Sequence, residues 1–123
     1  MNDPARTPAI RVMMMPRDTN AHGTIFGGVI LSHIDQAGAV AAIEMGLGKV
    51  VTVAMDEVVF HQPVRVGDLV SFYATVVKKG RTSLLVRVDV EAFRRGNGTT
   101  VQVTEADVTY VHIDDQGHPI PLP

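Results

Sequence analysis

Between Gly28 and Met45 the chain is apolar around nearly its whole helical circumference. Ile30, Ile34, Ala37, Ala41 and Met45 recur at helical spacing, and Ala39, Val40 and Ile43 widen that stripe. A helix with so little polar surface is stable only when other structure wraps it. Gly38 and Ala42 are small enough to admit a close neighbour, and Gly46 and Gly48 supply the stop.

The segments around this helix are patterned to wrap it. Val50 to Phe60 is rich in β-branched residues and reads as a strand; Pro63 and Gly67-Asp68 mark the following turn. Leu69 to Lys79 reads as the next strand, ending at Gly80. In Leu84 to Arg94 the residues Leu84, Val86, Val88, Val90 and Ala92 face one way, while Arg87, Asp89 and Glu91 face the other. Gly96-Asn97-Gly98 is a hairpin turn. Val101 to Ile113 is the last strand, and its apolar phase slips near Thr104 to Ala106, as a bulge or burial on both faces would make it. Ahead of the helix, Ile10 to Met15 is a short strand closed by Pro16, and residues 1–8 read as a flexible tail. Residues 9–123 then form one α+β domain, a mainly antiparallel sheet curled around a central helix.

Composition narrows the function classes. With 46% hydrophobic and 20% charged residues, the 123-residue chain is expected to bury one core. It has no cysteine, which removes disulfides, thiolate nucleophiles and Cys-based zinc sites, and which fits a cytoplasmic protein. A formal net charge of -2 argues against broad nucleic-acid binding. No run is long and apolar enough to span a bilayer, and the first ten residues lack a signal-peptide core. The five histidines are scattered, and His33 and Asp35 point to different helix faces, so no metal site is expected.

Asp35 is the anomaly. A carboxylate in mid-helix between Ile34 and Ala37 is a poor helix former and costly to bury unpaired. Either it faces solvent or a subunit boundary, or it is held at a cleft to activate water or attack a carbonyl. At the helix entry, Gly27-Gly28 permits close backbone approach where N–H groups lack partners, as an oxyanion hole requires. Gly28 and Asp35 lie about 10 Å apart by helical rise, so the two functions are expected from different subunits. Lys79, Gly80, Arg81, Thr82 and Ser83 form a second candidate: either a solvated cationic turn or a grip on phosphate. Asp56 and Glu57 are expected on opposite faces of a strand, unable to act as a paired acid and base.

The run Met15-Pro16-Arg17-Asp18-Thr19-Asn20-Ala21-His22-Gly23-Thr24-Ile25-Phe26-Gly27-Gly28, followed by Ser32-His33-Ile34-Asp35-Gln36-Ala37-Gly38-Ala39, resembles the hotdog-fold acyl-CoA hydrolases of the bacterial short- to medium-chain type. Val51-Thr52-Val53-Ala54, the Pro-Val-x-Val-Gly-Asp turn, Gly80-Arg81-Thr82-Ser83 and Val103-Thr104-Glu105-Ala106 follow in matching order. The resemblance implies a helix wrapped by five or six antiparallel strands, a homodimer as minimal unit, and commonly a homohexamer built as a trimer of dimers. It implies a thioesterase that cleaves acyl-CoA to a free acid and coenzyme A, with sites at the dimer interface. The family's helix carboxylate falls on Asp35, as general base or nucleophile. Its polar residue falls on Asn20, and its oxyanion donors fall on the N–H groups near Gly27 and Gly28. Coenzyme A, gripped at Lys79 to Ser83, is part of substrate and product, and no further cofactor, nucleic acid or membrane partner is implied. His22 and Thr24 depart from the commonest family spelling, Asn and Asp. Two rivals stay open: a hotdog dehydratase or hydratase using His22 or His33, and a module that binds acyl-CoA without turning it over.

Overall fold

The computed structural model describes residues 6–123. The first five residues of the expected tail therefore lie outside the described part. Arg6 lies against the sheet, with its guanidinium 3.8 Å from the Tyr73 ring centre and 3.5 Å from Asp89. Strand β1 spans Ile10–Met13, helix α1 Gly27–Glu44, β2 Lys49–Met55, β3 Leu69–Lys79, β4 Ser83–Arg94 and β5 Thr99–Ile113. They form one five-stranded sheet in the order β1-β3-β4-β5-β2, antiparallel throughout.

The concave face of this sheet holds the helix. Ile30, Ile34, Ala37, Gly38, Ala41 and Ala42 are its buried positions. They pack into a core with Phe72, Leu84, Val86, Val88, Val90 and Val108. The alternation of β4 is realised as expected: Leu84, Val86, Val88, Val90 and Ala92 are fully buried. The wrapping is incomplete. Gly28, Ser32, Gln36, Ile43 and Glu44 remain exposed, and Ile43 keeps 65% of its surface. Five strands curl around only one side of the helix, leaving uncovered a side that is mixed in character, with Ile43 among Ser32, Gln36 and Glu44.

The helix ends in a Schellman turn. Gly46 has φ +90°, its N–H donates to Ile43 O at 2.9 Å, and Leu47 N–H donates to Ala42 O at 3.1 Å. Close approach to Gly38 also takes place, by the Tyr110 ring. A Cβ at Gly38 would stand 2.7 Å from Tyr110 Cζ.

The phase slip of β5 is a bulge. Val90 pairs with Thr104 and Glu91 with Gln102, leaving Val103 as the extra residue, and both Val103 and Thr104 are buried. The bulge explains one correction. The β2 strand stops at Met55 rather than reaching Phe60. Asp56 N–H still bonds Asp107 O at 2.9 Å, but the next partners are Val59 O, which takes the Thr104 hydroxyl at 2.7 Å, and Val103 O, which takes His61 N–H. A side-chain hydroxyl replaces a ladder bond, so the strand lapses; Asp56 and Glu57 lie outside it, both exposed. The outer edge of β2 is open, with Val51 42% and Val53 54% exposed, and Val59 and Phe60 are exposed just beyond it.

Candidate active site

Two features of the sequence put a carboxylate at a defined point: helix α1 carries Asp35 on its flank, and β2 and β5 bring two hydroxyls to it. Thr52 Oγ1 donates to Asp35 Oδ1 at 2.6 Å. Tyr110 OH donates to the Asp35 backbone oxygen, also at 2.6 Å. Thr52 and Tyr110 are direct partners across the β2–β5 ladder, so one rung supplies both contacts. Burial, then the charge of Asp35, pushes the Tyr110 phenol above the ordinary tyrosine range, so it stays a donor. Asp35 is half-buried, and its Oδ2 has no hydrogen-bond partner among the described residues. One oxygen is thus fixed and the other is open to take a proton or attack.

Sequence reasoning missed Thr52 and Tyr110 as parts of the site. Thr52 is the one hydroxyl in a strand of valines, and Gly38 signals a bulky neighbour, but their meeting with Asp35 depends on pairing across the fold.

The helix mouth forms a second cluster. Asn20 closes a loop on itself: its Oδ1 accepts His22 N–H at 2.8 Å and Thr24 N–H at 3.2 Å, and its Nδ2 donates to Thr24 Oγ1 at 3.0 Å. Thr24 therefore completes the asparagine's turn, whereas the His22 side chain is exposed. Ile25 N–H bonds Val64 O and Phe26 N–H bonds Asp18 O, which seats the loop against the chain before β3. Phe26 caps the helix without a side-chain bond. The N–H groups of Gly27 and Gly28 find no acceptor among the described residues, as expected at a helix start. A cavity of about 320 Å3 opens beside them, lined by Ile25, Gly27, Ile30, Phe60, His61 and Pro63. A Cβ on Gly27 would touch the Phe60 ring at 3.5 Å, whereas Gly28 faces open space.

The β3–β4 turn is the third cluster. Gly80 N–H donates to Ser83 O at 2.8 Å, and a Cβ at Gly80 would collide with Ser83 Oγ. Thr82 O accepts His112 N–H and Arg81 O accepts Leu122 N–H, so the last residues brace the turn. Lys79 and Arg81 stay exposed, with no ion-pair partner among the described residues. Ser83 and Leu84 pair with Val111 and Tyr110, which puts this turn at the same end of the sheet as Asp35. Asn20, Gly27 and Gly28 belong to the other end, beside Phe60 and Val64. Within one chain, Asp35 and the Lys79–Ser83 turn thus lie toward the Tyr110 end of the sheet, and the helix mouth toward the other.

His33 is occupied elsewhere. Its Nδ1 lies 2.8 Å from Val29 O, and its ring stacks on Phe72 at 5.4 Å. Among the described residues, no group of three His, Cys, Asp or Glu side chains is placed to hold a metal ion. No described helix is long and apolar enough to cross a membrane.

Comparison with known proteins bears on the family and the fold. The family model of the thioesterase superfamily matches residues 22–99. The acyl-CoA thioester hydrolase YciA of Escherichia coli K12 is 41% identical over 125 aligned positions, covering 99% of this chain and 95% of the relative. A hexameric hotdog-fold thioesterase of Campylobacter jejuni superposes with a TM-score of 0.90 at 46% identity, over 99% of this chain and 93% of that one. An acyl-CoA hydrolase from Staphylococcus aureus, solved with butyryl coenzyme A and coenzyme A, gives a TM-score of 0.84 at 32% identity, over 93% of this chain and 70% of that one. With its helix-in-sheet architecture and the family's motif run in place, the chain belongs to the thioesterase superfamily and has the hotdog fold.

Proposed function

We propose that this protein hydrolyses acyl-CoA thioesters to a free carboxylic acid and coenzyme A, in the cytoplasm and as a homo-oligomer. The observation that carries the reading is Asp35, with one carboxylate oxygen held by Thr52 and the other free. In the hydrolysis, oxygen from water adds to the thioester carbonyl carbon, either directly with Asp35 as base or after Asp35 has attacked as nucleophile. The carbonyl oxygen takes bonds from the Gly27 and Gly28 N–H groups, where the helix start favours negative charge. The carbon–sulfur bond breaks as the direct water adduct collapses or, in the nucleophilic route, as the Asp35 anhydride forms before water adds, and the leaving thiolate takes a proton. Asn20 holds the loop ahead of those donors in shape. The Lys79–Ser83 turn grips the coenzyme A phosphates. No cofactor beyond the substrate's own coenzyme A takes part.

Separation of Asp35 from the helix mouth in one chain supports a site shared by two copies. The open β2 edge and the uncovered side of α1 offer the surfaces for such a pairing. The hexameric assembly of the Campylobacter jejuni neighbour supports a trimer of dimers here. A hydratase reading lacks its histidine: His33 is tied to Val29 and Phe72, and His22 points into solvent.

The test is thiol release from acyl-CoAs of graded chain length, by the wild type and by Asp35→Asn. The variant is expected to lose at least ~100-fold in turnover while keeping its oligomeric mass, the scale of a lost acid–base group. A variant that keeps most of its activity would make Asp35 structural. Crotonyl-CoA hydration without thiol release would replace hydrolysis by the hydratase reaction.

A further inference from the structure

A second cationic cluster, made of residues given no role above, lies beside the helix-mouth cavity, where Arg65 is bridged to Thr24. The turn before β3 and the β4–β5 hairpin turn enclose a cavity of about 280 Å3, whose lining includes Arg65, Gly67, Asp68, Arg94, Arg95 and Asn97. We propose that Arg65, Arg94 and Arg95 form a binding site for a phosphoryl oxyanion, a second anion site distinct from the Lys79–Ser83 turn.

The charge balance is the first argument. Three arginines face one aspartate, and that aspartate is consumed. Asp68 is 4% exposed; its Oδ2 accepts Arg65 N–H at 2.9 Å and lies 3.5 Å from Arg94 Nε. Arg94, largely buried, also donates through Nη2 to Pro63 O. The Arg65 and Arg95 guanidinium groups have neither an ion-pair partner nor a hydrogen-bond acceptor among the described residues. In a chain of net charge -2, two such arginines beside an anchored third make a local field that selects anions.

The second argument is that the backbone around them is fixed. Gly67 has φ +87° and Gly98 φ +69°, conformations that side chains rarely adopt. Asp68 N–H closes the first turn onto Arg65 O at 3.0 Å, and Gly98 N–H closes the second onto Arg94 O at 2.8 Å. Asn97 Oδ1 is held by Thr99 N–H and Oγ1, which leaves its amide N–H groups for another partner. Arg95 lies over Gly67, with Nη2 3.5 Å from where a Cβ would stand. Phosphoryl groups suit this array, because planar guanidinium groups give paired, charge-assisted bonds to their oxygens.

Its place in the fold separates it from the other phosphate candidate. β3 runs from the cavity at Leu69 to the Lys79 corner, eleven residues or about 33 Å. Pro63 and Val64 line the cavity at the helix mouth while Arg65 lines this one, so the two cavities are neighbours.

Two sources fit the chemistry: the substrate's own coenzyme A phosphates, or a separate phosphorylated molecule. The probe is inorganic pyrophosphate, followed by titration calorimetry at low ionic strength on the intact oligomer. Arg81→Ala protein is used as the reference, so that the other cationic corner is weakened and what remains of it is the same in both proteins compared. Saturable binding is expected there, and at least ~10-fold weaker binding in R65A/R81A/R95A, which removes only exposed guanidinium groups. No saturable binding by the reference, or equal binding by both proteins, overturns the proposal. The source is then read from R65A/R95A kinetics. A KM raised for acyl-CoA but not for acyl-pantetheine identifies the coenzyme A phosphates; an unchanged KM on both, with pyrophosphate binding lost, identifies a separate ligand. Calorimetry needs no turnover, so its outcome is independent of whether thioesters are cleaved.

Discussion

Replacing Gly38 by alanine should damage this protein, although alanine is the better helix former. A methyl group there would stand 2.7 Å from Tyr110 Cζ and closer still to the phenol oxygen. Tyr110 is 1% exposed within the core, so the ring must shift away from the helix against its buried neighbours. That shift breaks the 2.6 Å bond from its OH to the Asp35 carbonyl. Overpacking of a tight core costs about 1–3 kcal/mol. Leaving a buried hydroxyl unpaired costs about 1–3 kcal/mol more. Helix propensity returns about 1 kcal/mol. The net loss is therefore about 1–5 kcal/mol, measured by urea unfolding at fixed protein concentration because oligomers gain stability by mass action. In a Tyr110→Phe background the same substitution should cost less, since the nearest clashing atom and the broken bond are both gone. If Gly38→Ala equals or exceeds the wild type in stability, the close approach of Tyr110 is not a constraint and the reasoning fails.

Thr52→Val keeps the shape of the β2 side chain but removes the donor to Asp35 Oδ1; kcat for thiol release should fall about 10-fold, the scale of one lost hydrogen bond, with the oligomer intact. Arg81→Ala should raise KM for acyl-CoA with kcat largely kept, and leave acyl-pantetheine hydrolysis unchanged; equal harm to both substrates would give Arg81 a structural role. Light scattering should give a mass well above the 13.3 kDa of one chain, and Val53→Asp on the open β2 edge should lower it.

Much of this arrangement is legible in the order of residues. The helix pattern ends within a residue of the observed bounds because glycines mark both termini, and β3 has the expected limits because Asp68 and Gly80 punctuate it. The bulge in β5 shows as a slip in alternation, since a period-2 pattern registers any inserted residue. The lapse of β2 after Met55 is invisible locally. Val58, Val59 and Phe60 have strand composition, and it is the bulge at Val103 with the Thr104 hydroxyl, 45 positions from Val59, that breaks the ladder. Asp35 stands out because a mid-helix carboxylate violates local preference. Its partners do not: Tyr110 is 75 positions away and Thr52 is 17, and no local rule pairs them. The arginine cavity escapes sequence reading for the same reason, as Arg65 and Arg95 are joined only by the β3–β4 pairing.

The strand order also sets a timetable for folding. β3, β4 and β5 follow one another as hairpins, with loops short enough to close early. β2 pairs only with β5 among the described strands, matching Lys49 to Ile113, so it cannot dock fully until synthesis has reached Ile113. Helix α1 leaves the ribosome before β2, β3, β4 and β5, with Ile30, Ile34 and Ala41 uncovered in the meantime. The nascent chain is thus most prone to aggregation through its first half, and holding that helix during synthesis is the service a chaperone would render it.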